Sequence, residues 1–357
     1  MNRRTLYAIA APMAALLLAL VVTSIALLAG SHNPLVAFGK MLTYAGSKDS
    51  AVVIVNKSLP LFLSGLAVAI GFKMNLFNIG VEGQYRLAAI LAAAAGAAVS
   101  LPAPLHIAFI MLIAMAVGAA WAAVAGILNV TRNVNIVIST IMLNGIVASL
   151  LGYLLKHVAH VKNQMRSTTE LPKSAWFPDL LHIGKGTRLY GFVIIAAIVG
   201  VGFSVVMNRS RFGFDLRASG INPGAARASG VNPKTMVVRT MLISGALAGL
   251  IGMPILLSDS HKYTQDFPTL YGFSGIAVAI VGRYRAGGIA LAAMLFAGIE
   301  RASQILPQPP LRAPKEIGTI MQGTMMLSAV VAYEVVRRLG EAAAIREAAA
   351  KAGVVAA

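Results

Sequence analysis

The 357-residue chain contains no cysteine and few charged residues. Without cysteine it can form no disulfide framework, cysteine-ligated zinc or iron–sulfur site, or thiol nucleophile. Charged residues make up 12% of the sequence, about half the share found in ordinary soluble domains. The Gly-x-x-x-x-Gly-Lys-Ser/Thr sequence of a P-loop is also missing, so we expect no ATP site of that type on this chain.

Hydrophobic residues, in contrast, make up 58% of the chain, which excludes disorder and favours a membrane protein. Because a spanning helix needs about 20 mostly apolar residues, we predict an all-α, polytopic integral membrane protein with about ten transmembrane helices. We expect the shorter apolar stretches to include flanking polar residues or to be broken helices. The predicted stretches are Leu6–Ala29, Leu59–Phe72, Gln84–Val99, Leu105–Asn129, Ile136–Leu155, Leu189–Met207, Met236–Leu257, Phe273–Val281, Gly287–Leu306 and Ile317–Val336.

The 30 Lys and Arg residues outnumber the 12 Asp and Glu residues, which gives a formal net charge of +18. In so apolar a chain this excess indicates membrane topology and contact with lipid, so we predict no nucleic-acid partner. The positive-inside rule predicts a multi-pass membrane protein with both termini cytoplasmic. It places a first helix at about 6–29, an outer loop at 156–188, an inner loop at 208–235 and an inner tail at 338–357. The outer loop is also basic, which the rule does not explain.

The inner loop contains one seven-residue pattern twice, Arg-Ala-Ser-Gly-Ile/Val-Asn-Pro, beginning at Arg217 and at Arg227. Gly220 and Gly230 suit the left-handed position that ends a helix. Asn222 and Asn232 are typical N-cap residues, each followed by a proline at the first helical position. The pattern therefore predicts a short capped helix at Pro223–Ser229. A surface for a cytoplasmic partner explains its length, and the alternative is a plain turn between two spanning helices.

At these residues the chain resembles permease subunits of bacterial ABC importers, within the nucleoside and simple-sugar group of the branched-chain amino acid/ribose permease superfamily. Four motifs occur in the order that is typical of the group. They lie at Phe77–Gln84, Val137–Asn144, Leu216–Val231 and Gly272–Arg283.

The resemblance implies a single transmembrane permease domain over residues 1–357. It implies three partners: a cytoplasmic ABC ATPase, a second identical or different permease subunit, and an extracytoplasmic substrate-binding protein. ATP and magnesium would be held by the ATPase, with no cofactor on this chain. The implied solute is a nucleoside or related simple sugar, and the alternatives are a pentose or a branched-chain amino acid. The residues implied in coupling to the ATPase are Arg217, Gly220, Asn222, Pro223, Ala225, Ala226, Arg227 and Gly230.

Polar residues within apolar stretches are candidates for the translocation pathway, because ionisable groups are costly at membrane depth. We expect Glu82 either to line the pathway or to anchor the start of a helix, where a negative charge is favoured. Amides suit a neutral solute that is rich in hydroxyl groups. The six candidates are Asn78, Glu82, Gln84, Asn144, Glu300 and Gln322.

No arrangement of residues predicts catalysis or metal binding. His157 and His160 are three residues apart, but with no carboxylate close by we interpret them as solvated loop residues. The rival from another class is a secondary transporter or channel that works alone and uses an ion gradient through Glu82 and Glu300. A structural membrane scaffold is a third possibility, although it needs no polar groups inside its spans.

Overall fold

The computed structural model describes residues 3–157, 159–162, 165–183, 186–328 and 331. The chain divides into two compact units. One unit comprises Met1–Gly46 with Gly298–Ala357, and the other comprises Ser47–Ala297. The prediction of a single domain stays a prediction, and the predicted tail at 338–357 lies outside the described residues.

The first unit begins with a broken pair of helices, α1 (Arg3–Ala29) and α2 (Pro34–Ala45). The α1 axis up to Ala29 and the α2 axis meet at 119°, so the pair forms a broken span or a re-entrant loop. The break follows from Asn33 and Pro34, because the Asn33 side chain accepts from the backbone N–H of Leu35 and Val36 and thereby caps α2. The first helix was thus predicted at the right place. A helix at residues 317–328 also belongs to this unit.

The second unit carries the remaining helices. Their bounds are α3 Lys48–Phe72, α4 Val81–Ala97, α5 Ala103–Arg132, α6 Ile136–His157, α7 Phe192–Arg209, α8 Arg211–Ile221, α9 Pro223–Ala228, α10 Pro233–Gly249, α11 Met253–Ile255, α12 Tyr271–Val281 and α13 Ala286–Ser303, the last of which continues into the first unit. The 3₁₀-helix Leu250–Gly252 and the π-helix Leu256–Ser260 extend α10 and α11 toward the face opposite residues 208–235.

The packing of α5 against α10 forms the centre of the second unit and depends on glycine. A Cβ on Gly118 would lie against the carbonyl oxygen of Gly245, and a Cβ on Gly249 against that of Ala114. Small residues let two helix backbones approach closely in lipid, where no hydrophobic effect drives helices together. The abundance of glycine thus has a packing role at this interface.

Residues 156–190 contain the strands that the structure describes. Strand β1 (Ala159–Lys162) pairs with β2 (Met165–Thr168), and β3 (Asp179–Ile183) pairs with β4 (Thr187–Tyr190), both antiparallel. The Asn56 side chain of α3 fixes the second hairpin, since it donates to Arg188 O at 2.7 Å and accepts from Tyr190 N at 3.0 Å. The predicted outer loop is therefore two ordered hairpins in an otherwise helical chain, which the all-α prediction did not include.

Among the described residues, six helices are long and apolar enough to cross a membrane, or seven if the α1–α2 pair counts as one span. The prediction of about ten is not reached in this part of the chain and stays a prediction. Helices α4 and α12 are too short, with 17 and 11 residues, α1 counts only together with α2, and the stretch predicted at Ile317–Val336 lies partly outside the described residues. The stretch predicted at Leu59–Phe72 instead begins earlier, at Lys48, and includes polar residues in its first turns.

Candidate functional site

The chain enters α4 through a non-helical break inside the second unit. Helix α3 ends at Phe72, and a non-helical segment leads to the start of α4 at Val81. At one end of the break, Asn75 donates to the Gly220 carbonyl of the 208–235 loop at 2.7 Å. At the other end of α4, the Gly96 carbonyl lies 2.8 Å from His106 Nε2, in the first turn of α5. The first turn of α4 therefore lies between the end of the second unit that carries the 208–235 loop and the opposite end, where α5 begins.

Two buried amides stabilise this break. The Asn78 and Gln84 side chains exchange hydrogen bonds of 3.0 and 2.9 Å, and Asn78 also donates to Ser244 Oγ of α10 at 2.9 Å. Ser244 in turn donates to the carbonyl of Ala67 in α3 at 2.7 Å. Asn78 is 1% exposed and Gln84 is fully buried. Their polar atoms thus bind the break to α3 and α10.

Asn144 of α6 secures the same segment from another side. Its Oδ1 accepts from Gly83 N and its Nδ2 donates to Ile79 O, both at 2.9 Å. Two of the four resemblance motifs therefore meet in space, since Asn144 ends one and Ile79 and Gly83 belong to another. The sequence named Asn144 as a candidate but not this contact.

Glu82 joins the first turns of two helices. Its carboxylate accepts from the backbone N–H groups of Leu270 and Gly272, both at 2.9 Å, at the beginning of α12. It also accepts from Tyr85 Oη at 3.2 Å, while that hydroxyl lies 2.8 Å from the Pro268 carbonyl. A carboxylate among unsatisfied first-turn N–H groups neutralises orphan donors and is favoured by both helix dipoles. This geometry corresponds to the anchoring alternative, and Glu82 is 7% exposed.

Four of the six pathway candidates thus gather at one place, which we call the polar junction (Asn78, Glu82, Gln84 and Asn144, with Tyr85 and Ser244). Glu300 and Gln322 belong to the first unit. There Glu300 is half-buried and its carbonyl accepts from Ser303 Oγ at 2.8 Å, and Gln322 is half-buried in the helix at 317–328. Their pathway role stays a prediction.

Sequence reasoning missed Arg86, one turn after Glu82 on α4. Arg86 is half-buried, its Nε is buried without a hydrogen-bond partner in the described part of the chain, and its guanidinium lies near Tyr263. The signal was available, because Arg86 is an ionisable residue inside an apolar stretch at the i+4 position from Glu82. Ser244 was missed because a serine inside a spanning helix is common.

The docking loop, which we define as residues 208–235, contains the predicted short helix. Helix α9 spans Pro223–Ala228, and Asn222 caps it by accepting from Ala225 N at 3.0 Å. Gly230 has φ +81°, and the N–H of Val231 bonds back to Ala226 O at 3.0 Å, which closes the helix with a left-handed cap. Asn232 then caps α10. The prediction is confirmed to within one residue.

The expectation for Gly220 was wrong in its conformation. Gly220 is not left-handed but lies within α8, where a Cβ would come 2.7 Å from the Cα of Met74. Glycine is required at position 220 because its backbone lies so close to the segment after α3, where Asn75 donates to the Gly220 carbonyl. In the first repeat glycine therefore allows a close contact between backbones, and in the second it allows the left-handed turn that ends α9.

The predicted coupling residues divide into buried and exposed positions. Arg217 is half-buried and donates to Met207 O, and the Ala226 side chain is 3% exposed. Ala225 and Arg227 are exposed, as are Pro223 and the neighbouring Ile221, which is 82% exposed. The exposed positions at and beside α9 are thus partly apolar and include one cation, Arg227.

Further cations gather near this loop. Burial, and then the nearby Arg217 and Arg285, lower the pKa of Lys73, which directly follows α3. A cleft of about 720 Å³ separates the docking loop from the end of α5, and Arg132 and Lys234 are among its lining residues. We call this end of the second unit, comprising residues 73–76, 129–135, 208–235 and 283–285, the basic face.

The second unit combines long apolar helices, a buried polar junction at the break between α3 and α4, and a capped helix on a basic face. These features define a multi-pass membrane protein. Residues 50–330 match the family described as the permease component of the branched-chain amino acid transport system. The chain belongs to this family, and it is a permease component rather than an enzyme.

Three curated relatives are similar over most of their length. The guanosine ABC transporter permease protein of Bacillus subtilis is 34% identical over 284 residues, 79% of this chain and 81% of the relative. The glucose ABC transporter permease protein of Haloferax volcanii is 32% identical over 80% of this chain and 78% of its own. The nucleoside ABC transporter permease protein of Lactococcus lactis is 28% identical over 97% of both chains.

Proposed function

We propose that this chain is the membrane-spanning permease subunit of an ABC importer and moves a nucleoside or a related sugar into the cell. Its family and its guanosine, nucleoside and glucose permease relatives support the solute class. The single observation that carries the coupling mechanism is α9, a two-turn helix capped at both ends and presented on the basic face. Such a helix is too short to be stable alone, so its caps and its neighbours hold it in place.

In this proposal the docking loop transmits the motion of a separate ATPase chain. Ile221, Ala225 and Arg227 supply the exposed contacts, while Arg217, Gly220 and Ala226 fix the loop to the helices behind it. ATP and magnesium belong to the ATPase, which agrees with the missing P-loop. A second permease subunit and an extracytoplasmic binding protein complete the assembly. The basic face is then cytoplasmic, in an inner membrane with both termini on that side.

The polar junction has a mechanical part in the same proposal. Non-helical backbone between spanning helices is typical of transporter folds, where it lies near the substrate site. The hydrogen bonds of Asn78, Gln84 and Asn144 keep the break in one geometry within the second unit. An autonomous secondary transporter that uses Glu82 is disfavoured, because both carboxylate oxygens already accept from backbone N–H groups, of Leu270 and of Gly272.

The solute class is tested by uptake in cells that carry the complete transporter and in cells from which only this chain is deleted. We expect deletion to abolish the uptake of labelled guanosine or of glucose, and expression of the chain from a plasmid to restore it. Uptake of labelled leucine in the same cells is the matched control and should not change. Loss of leucine uptake alone, or uptake of every solute at the wild-type level, would contradict the proposed solute class.

A further inference from the structure

A groove on the side of the second unit runs between α3, α7 and α13. It has a volume of about 700 Å³, and Phe62 of α3 and Gly200 of α7 are among the residues that line it. Gly200 makes this packing possible, because a Cβ there would come 2.7 Å from Phe62 Cζ. Ala197, Val201 and Ala290 line the groove as well, so most of it is apolar.

The groove becomes polar at one end only. Asn208 and Arg209, at the end of α7, line it together with Ala286 and Gly287, at the start of α13. Arg209 is exposed and forms no ion pair with an acid in the described part of the chain. The first N–H groups of α13 have no acceptor within their own helix, and the helix dipole favours an anion there. This end therefore presents a cation, an amide and free N–H donors beside an apolar channel.

We propose that the groove binds one anionic phospholipid, with an acyl chain along α7 and its phosphate at Arg209 and the start of α13. The dimensions agree: Ala197 to Arg209 spans twelve residues of helix, about 18 Å, and one hydrocarbon leaflet is about 15 Å thick. Basic pockets between spanning helices are typical sites for anionic headgroups. Assignment of the site to the cytoplasmic leaflet rests on the proposed function, whereas the preference for an anionic lipid does not.

The test measures lipid retained by the purified transporter that contains this full chain. The protein is incubated in mild detergent with equal amounts of phosphatidylglycerol and phosphatidylcholine that carry identical acyl chains, and bound lipid is quantified by mass spectrometry. We expect the wild type to retain mainly phosphatidylglycerol. Arg209→Gln should lower the ratio of phosphatidylglycerol to phosphatidylcholine about fivefold, the effect of one basic residue near an anionic surface.

Two matched controls separate this site from lipid that merely surrounds the protein. Arg211→Gln removes a charge two residues away, at a side chain that is 90% exposed and does not line the groove, and should leave the ratio unchanged. Gly287→Leu should reduce the retention of both lipids, whereas Gly202→Leu should not. A Cβ at either glycine meets no atom within 4 Å, so the two substitutions are matched at the backbone, but only Gly287 lines the groove.

The same ratio in Arg209→Gln, Arg211→Gln and the wild type would overturn the proposal. A helix of a second copy is the alternative occupant of the groove, and a cysteine tests it cleanly because the chain has none. Ser204 lines the groove, and Ser204→Cys should stay uncrosslinked under mild oxidation if lipid fills it. A disulfide between two copies would show that a second chain occupies the groove and would overturn the lipid assignment.

Discussion

Ala225→Glu is expected to reduce uptake at least tenfold while the chain still folds and inserts into the membrane. Ala225 is exposed at the third position of α9, where it faces away from the rest of the chain. A glutamate at this position stabilises a helix, because it lies near orphan N–H groups and the positive end of the dipole. Lost transport would therefore reflect a lost contact with a partner rather than a damaged helix. An uptake assay measures the loss of transport, and the thermal melting temperature of the purified chain shows whether the fold is intact.

The matched control is Ala103→Glu. Ala103 is also an exposed alanine in the first turn of a helix, α5, but lies at the end opposite the basic face. It should leave both uptake and melting unchanged. Ala226→Glu, by contrast, places a charge at a position that is 3% exposed and should lower the melting temperature as well. If Ala225→Glu transports as well as Ala103→Glu, the docking loop is not the contact with the ATPase.

The second large effect is expected at Glu82. Glu82→Ala leaves the buried N–H of Gly272 without an acceptor, and it also removes the acceptor of the part-buried Leu270 N–H, while the Tyr85 hydroxyl can still donate to the Pro268 carbonyl. An unsatisfied buried donor costs about 1–3 kcal/mol, so we expect the free energy of unfolding to fall by about that amount. Thermal melting in detergent and the yield of monodisperse protein measure it.

Glu170→Ala is the control, because Glu170 is an exposed acid on the face opposite the docking loop and should change neither quantity. The same pair distinguishes the two interpretations of Glu82. Loss of stability supports an anchor between α4 and α12. A variant that melts like the wild type but no longer transports would show instead that Glu82 acts on the solute.

Local signals were sufficient to predict the docking loop. Asn222, Pro223, Gly230 and Asn232 act within a few residues of chain, so their positions fix where α9 and α10 begin and where α9 ends. Long apolar stretches likewise predicted the positions of α1, α5, α6 and α7. In each case the stabilising interactions join residues that are close together in the chain, so the spacing of residue types is sufficient to predict the element.

Contacts between distant segments could not be predicted in the same way. Gly220 has the sequence context of Gly230, yet its neighbour is Met74, some 146 residues away in the chain. The partners of Glu82, at Leu270 and Gly272, belong to another helix, and no spacing rule indicates them. The outer hairpins were missed because β1 to β4 have only four or five residues each, and an anchor such as Asn56 lies in a helix.

The distribution of charge now has a structural meaning on one face. The fold brings together Lys73, Arg132 and Arg285, from three separate segments, and Arg217 and Lys234 of the docking loop. Such a face suits a cytoplasmic orientation and an ATPase partner. The basic residues of the hairpin region follow no such rule and remain the part of the net charge without an assigned role.

The central claim is that ATP hydrolysis on another chain drives solute through this one. The most direct measurement is uptake of labelled guanosine and glucose into proteoliposomes that contain the chain with its ATPase and excess binding protein outside. Uptake of guanosine or of glucose should require ATP inside the vesicles and should persist after ionophores remove the proton and sodium gradients. The Ala225→Glu variant should abolish this uptake. Uptake that proceeds without ATP and stops with the ionophores would contradict the account and identify a secondary transporter.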